Sequence, residues 1–104
     1  MTAVEAIPVI VERIVRQFQP RQIILFGSQA RGDAKADSDV DVLVVLPDVG
    51  DKRGVAVEIM RALRDLQIGV DVVVTTPDEI ARRGRLVGTI LRPALLEGKV
   101  IHAA

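Results

Sequence analysis

Two short runs constrain the fold most. They are Val40-Asp41-Val42-Leu43-Val44-Val45-Leu46, stopped by Pro47, and Val70-Asp71-Val72-Val73-Val74-Thr75. Each is β-branched and aliphatic apart from one aspartate, and such runs read as strands. A third run, Arg21–Phe26 after Pro20, reads as another buried strand and ends at Gly27-Ser28. Apolar residues at successive positions require cover on both sheet faces, and the intervening segments are helical. This combination predicts an α/β fold, a small mixed β-sheet packed by helices.

The helices follow from spacing. Ile7, Ile10, Val11, Ile14 and Phe18 share one face of a helix over about Ala3–Gln19, with Thr2 and Glu5 as a capping box. Pro8 is comfortable only in a first turn, which shifts the expected start toward Ile7. Asp51 caps a helix over Lys52–Gln67, ended by Gly69, whose apolar stripe is Ala56, Ile59, Met60, Leu63 and Leu66. Gly54 weakens its first turn. Pro77 opens a helical turn through Ala81. A last helix is expected over Leu86–Leu96, with Pro93 a break or kink, before a short edge strand at Lys99–His102. Residues Gln29–Ser38 read as loop, with room for one helical turn at Gln29–Arg31.

At 104 residues and 49% apolar composition, one domain over residues 1–104 with its own core is expected. The only aromatics are Phe18 and Phe26, so aliphatic side chains build that core. Formal net charge is zero, which argues against a protein that grips a phosphate backbone. Arg82, Arg83 and Arg85 form a local cluster that reads as a solvated helix face. With no cysteine, disulfides and thiolate metal sites are excluded. No leader pattern and no span of membrane-crossing length is visible, so the expected location is the cytoplasm.

Aspartate is depleted in strands, so Asp39, Asp41 and Asp71 stand out. Asp39 and Asp41 bracket Val40 and share one strand face, about 6–7 Å apart. If the strands bearing Asp41 and Asp71 are neighbours, all three carboxylates converge. Alone they would repel, and one would tend to keep its proton. Divalent cations remove that penalty. A set of hard oxygen donors suits Mg2+, which shares substrate phosphates as ligands and can clamp an in-line phosphoryl displacement. The plainer reading is three solvated strand-end aspartates. It weakens because all three fall in or beside otherwise greasy strands.

Gly27-Ser28 directly after a buried strand lets the backbone approach a ligand closely, with amides and the Ser28 hydroxyl free for phosphate oxygens. A plain turn with Ser28 as helix N-cap is the other reading. Arg31 can hold phosphate as a fork, or pair with Asp33 or Asp37. His102, the only histidine, has no evident partner. The Walker loop and the dinucleotide glycine pattern are both absent.

Gly27-Ser28-Gln29-Ala30-Arg31-Gly32, then, after ten residues intervening from Ser28, the pair Asp39-Val40-Asp41, resembles the signature of the DNA polymerase beta-like nucleotidyltransferases. The resemblance covers about Ile23–Val74. The short chain and the Gly-Ser-x-Ala-Arg-Gly wording resemble the minimal nucleotidyltransferases, antitoxins commonly paired with a HEPN-domain toxin. The resemblance implies the polymerase beta-like fold, with Asp39 and Asp41 on two metal ions. It places Asp71 on the catalytic metal and near the acceptor hydroxyl, and Gly27 and Ser28 on the β- and γ-phosphates. Arg31 would meet phosphate or partner. It further implies Mg2+ as cofactor, ATP as substrate and transfer of AMP to a hydroxyl, often a tyrosine, of the HEPN toxin. Some relatives carry a tyrosine near the final strand, where this chain has His102.

The chain itself has no tyrosine, so a tyrosine acceptor must lie on another molecule. It also lacks length for a second substrate-binding domain. Both points favour a protein partner, while the zero net charge and the lack of a membrane-length span speak against direct nucleic-acid or membrane work. An alternative keeps the partner but not the chemistry: a non-catalytic antitoxin that neutralises the toxin by masking it. A nucleotidyltransferase for a small molecule or RNA, with its acceptor domain on a separate subunit, is a third reading.

Overall fold

The computed structural model describes residues 1–35 and 38–104. In chain order the elements are α1 (Ala3–Phe18), β1 (Gln22–Phe26), α2 (Ser28–Arg31), β2 (Val40–Val45) and α3 (Lys52–Ala62). A 3₁₀ turn at Arg64–Leu66 leads to β3 (Val70–Thr75), α4 (Pro77–Arg83), α5 (Leu91–Glu97) and β4 (Lys99–Ala103). The strands form one mixed sheet in the order β3-β2-β1-β4. β1 runs antiparallel to β2 and β4, while β2 and β3 are parallel. A parallel pair needs a crossover, and α3 supplies it.

Alternation along the strands divides the core. Ile23, Leu25, Val42, Val44, Val72 and Val74 face α1 and α3, where Ile10, Ile14, Ile59 and Leu63 meet them. Ile24, Phe26, Leu43 and Val45 face the other way, onto Leu91 and Ala94 of α5. Both faces are covered, as the aliphatic strands require. Each fully buried Ile contributes about 1.5–3 kcal/mol of apolar burial.

Several local expectations need correction. α1 begins at Ala3, with both bonds of the Thr2–Glu5 capping box present, and Pro8 lies inside the helix. Pro8 is tolerated because it is exposed beside Val4, itself 70% exposed, so the carbonyl freed by the missing N–H stays in reach of water. α3 stops at Ala62 rather than Gln67, and the chain tightens into the 3₁₀ turn before Gln67 turns left-handed at φ 57°. Met60 leaves the expected stripe and is 37% exposed.

The last helix is shorter than Leu86–Leu96 and starts at Leu91, which puts Pro93 in its first turn, where no N–H is needed. Residues 86–90 form no helix or strand. The helix opened by Pro77 extends to Arg83, two residues beyond Ala81, and Thr76 caps it by accepting from the Glu79 amide at 3.1 Å. Arg85 therefore falls outside that helix, and Arg82 and Arg83 end it. The edge strand expected at Lys99–His102 is β4. Among the described residues no helix is long and apolar enough to cross a membrane.

Candidate active site

The sheet topology gathers the predicted residues at one end. β1 is antiparallel to β2, so the end of β1 adjoins the start of β2. β2 is parallel to β3, so their starts adjoin. The register sets Phe26 opposite Asp41, and Asp41 opposite Asp71. Neighbouring strands lie about 5 Å apart, which brings the two carboxyls together on the face that carries Leu43 and Val45. Asp41 is partly buried; Asp71, on the edge strand, is exposed.

Burial and like charge act together on this pair. The Asp41 carboxyl is held above the usual aspartate range, first by burial, then by the charge of Asp71 and a hydrogen bond with it. Asp39 adds a smaller push in the same direction, and Arg31 opposes it. These are carboxylates that need a counter-charge, and one positive side chain nearby does not supply enough.

Gly27 shapes the wall of this site. It is the N-cap of α2, with φ 73° and ψ −155°, a region that is essentially glycine's alone. A Cβ there would also overlap Oδ2 of Asp41. Gly27 rather than Ser28 thus caps the helix, and it does so without a side-chain bond. Ser28 and Gln29 occupy the first positions of α2, whose amides have no partner within the helix. The Ser28 hydroxyl makes no hydrogen bond among the described residues.

Asp39 stands one residue before β2. It is exposed, and its carboxylate rests where a Cβ on Gly69 would be. Gly69 had read only as a helix stop; its second role is to leave room for Asp39 at the start of β3. The structure thus brings Asp41 and Asp71 into contact, with Asp39 beside them but turned to Gly69. Among the described residues no three acidic or histidine side chains already form a metal cage.

Arg31 resolves toward ion pairing. Its Nε donates to Asp33 at 3.2 Å and Nη1 donates to Glu97 at 3.1 Å. Asp37, the other expected partner, lies outside the described residues. Glu97 is 66 positions away, at the end of α5, and no spacing in the sequence joins it to Arg31.

The donor chemistry fits a divalent cation. Asp41 and Asp71 are hard oxygen ligands that repel each other, and Gly27 leaves space at the Asp41 carboxylate as Gly69 does at that of Asp39. Asp39 would complete the set by turning from Gly69.

The family description of the nucleotidyltransferase domain matches residues 7–96. The chain belongs to that family. Among solved structures, this nucleotidyltransferase domain is similar to a toxin–antitoxin complex with AMP-PNP: TM-score 0.64, 24% identity, covering 92% of this chain and 73% of that one. It is similar to the MntA–HepT toxin–antitoxin complex at TM-score 0.61 and 21% identity, covering 93% and 69%. It also matches a complex of a tri-AMPylated HEPN toxin with its MNT antitoxin from Shewanella oneidensis, at TM-score 0.57 and 20% identity, covering 93% and 72%. At these identities the likeness is one of fold, and it bears out the α/β nucleotidyltransferase layout, a small mixed sheet packed by helices, expected from the sequence. No curated protein sequence matches this one significantly.

Proposed function

We propose that this nucleotidyltransferase domain transfers AMP from ATP to a hydroxyl, in the first instance a tyrosine, of a HEPN-domain toxin, and thereby acts as a cytoplasmic antitoxin. The observation that carries the reading is the apposition of Asp41 and Asp71 across β2 and β3, beside the glycine-only turn at Gly27. The domain acts as one unit over residues 1–104. The solved complexes of similar fold, one with an ATP analogue and one with an AMPylated HEPN toxin, support the partner and the group transferred.

In the reaction, the acceptor oxygen bonds to the α-phosphorus, the bond from that phosphorus to the bridging oxygen breaks, and pyrophosphate leaves. Asp39, Asp41 and Asp71 would hold Mg2+, which supplies positive charge to the reacting phosphate oxygens. Gly27 lets the backbone close on the triphosphate, and the Ser28 hydroxyl and first α2 amides donate to its β- and γ-oxygens. Asp71, exposed on the edge strand, is the group an acceptor side chain on another protein can reach, and it takes the hydroxyl proton. Arg31 would exchange an ion pair for a phosphate oxygen.

The alternative is neutralisation by masking alone, in which the partner is bound but not modified. One experiment separates the two. The domain is incubated with Mg2+, α-labelled ATP and the product of the gene next to its own. Label on that protein, lost with Asp39→Ala/Asp41→Ala, is the expected result. No label, with protection undiminished in the double variant, sinks the transferase reading and leaves masking.

A further inference from the structure

An in-line displacement fixes the side from which an acceptor must come. The attacking oxygen, the α-phosphorus and the leaving oxygen lie nearly on one line. In the reading above, the β- and γ-phosphates rest on the turn after β1, and Asp41 and Asp71 stand at the starts of β2 and β3. β2 lies between β1 and β3 in the sheet. Pyrophosphate therefore leaves toward β1, and the acceptor hydroxyl arrives from the side of β3.

A cavity of about 260 Å³ lies on that side. Its wall includes Val73, which follows Asp71 by two residues and so shares its sheet face, with Cα atoms about 6–7 Å apart. Ile90 and Leu91 add apolar surface, and Glu79, Arg83 and Thr89 form the polar part. α5 spans the two regions: Leu91 opens it at the cavity, and Glu97 ends it at Arg31, beside the phosphate turn. Two of the polar groups are already engaged. Glu79 pairs with Lys52 and accepts from the buried Thr75 hydroxyl at 2.6 Å, and these bonds hold its carboxyl below the ordinary glutamate range. The Thr89 hydroxyl donates to the Leu86 carbonyl at 2.9 Å. Arg83 is exposed and forms no ion pair among the described residues.

We infer that this cavity receives the side chain of the acceptor and selects a phenol ring, so that the domain takes tyrosine over serine or threonine. The inference rests on the transfer reading above and assigns that reaction its acceptor pocket. Val73, Ile90 and Leu91 offer apolar contact to a ring, and the free Arg83 guanidinium can lie over its face. A ring resting on Val73 can put its hydroxyl at Asp71, the next residue on that strand face. The short side chain of serine or threonine cannot reach Asp71 and fill the apolar wall at once. The nucleoside fits this volume less well, because sites for drug-sized ligands run to roughly 300–1,000 Å³. Its ester oxygen is also one of the three equatorial oxygens on phosphorus, so the ribose departs across the reaction line and not along it.

The test reads acceptor binding apart from nucleotide binding. Transfer from α-labelled ATP to the product of the neighbouring gene is followed against acceptor concentration, and the labelled residue is identified by mass spectrometry. AMP-PNP affinity is measured by calorimetry with Mg2+. Variants of the full chain are Ile90→Asp and Arg83→Gln, with Val87→Asp, 83% exposed on the same connection and outside the cavity wall, as control. All three alter exposed side chains, and unchanged melting verifies the fold. Expected are label on a tyrosine, an acceptor KM about fivefold or more higher in the two cavity variants, unchanged AMP-PNP affinity in both, and no change in the control. An acceptor KM unmoved in either cavity variant, or raised equally in the control, overturns this inference and leaves the transfer reading standing. Label on a serine or threonine does the same. AMP-PNP affinity lost in the cavity variants assigns the cavity to the nucleoside and also overturns it. No label from the wild type removes the transfer reading and this inference with it.

Discussion

Gly27→Ala should damage the domain in two separable ways. The first is backbone strain. At φ 73° and ψ −155° an alanine sits in a region that costs about 1–3 kcal/mol. Taking about 2 kcal/mol, the folded-to-unfolded ratio falls about thirtyfold, and melting drops by about 8–16 °C for a chain of this size. The second is collision. The new methyl overlaps Oδ2 of Asp41, so either that carboxylate leaves its place opposite Asp71 or the turn opens.

A double-mutant cycle tells the two apart. Urea unfolding is measured for wild type, Gly27→Ala, Asp41→Ala and the pair. Removing the Asp41 side chain relieves the collision but not the strain. The pair should therefore be more stable than the sum of the singles, by roughly 0.5–3 kcal/mol, as contacting residues show. A Gly27→Ala cost under about 0.5 kcal/mol would refute the strained turn, and strict additivity would refute the contact with Asp41.

Asp41→Asn should stabilise the cation-free domain at neutral pH. Because the native carboxyl titrates above its ordinary value of 3.8, the native state holds the proton more tightly than the unfolded state does, and stability is lost as pH rises through that window. Melting scans across pH should show the loss in wild type and not in the variant, and added Mg2+ should raise only the wild-type melting temperature. Glu97→Gln should free Arg31 for phosphate and tighten AMP-PNP binding by about two- to fivefold in calorimetry; weaker binding would mean Glu97 aims Arg31 productively. Ile14→Ala, at a side chain 1% exposed between α1 and the sheet, should cost about 2–5 kcal/mol in urea unfolding, and a cost below 1 kcal/mol would contradict the packing of α1 on the sheet.

The strands were legible because their side chains leave few options. Val42, Val44, Val72 and Val74 are β-branched and buried, and local preference agrees with tertiary demand. Helix ends were less so, because they depend on groups distant in sequence. α3 stops at Ala62, where Arg13 of α1 reaches its carbonyl at 3.0 Å and also pairs with Asp65, a contact 49 and 52 residues long. Pro8 misled because its effect depends on exposure, which periodicity does not report. In the site, the aspartates and the Gly-Ser turn could be read from spacing. The hold of Glu97 on Arg31 and of Gly69 beside Asp39 could not, since each joins residues on different elements.

The apolar core also explains why the carboxylates meet. The contact of Asp41 with Asp71 repels, so nothing in the pair itself selects their alignment. Register is fixed on the opposite face, where Val40 faces Val70, Val42 faces Val72 and Val44 faces Val74. A slip of β3 by one residue would turn Val72 and Val74 away from α3 and drive Asp71 into the layer of Ile59 and Leu63, burying a charge among aliphatic groups. That penalty exceeds the repulsion between two partly solvated carboxylates. The valines that alternate with the aspartates therefore carry the positional information of the site, and the strain they impose at Asp41 is what a divalent cation would relieve.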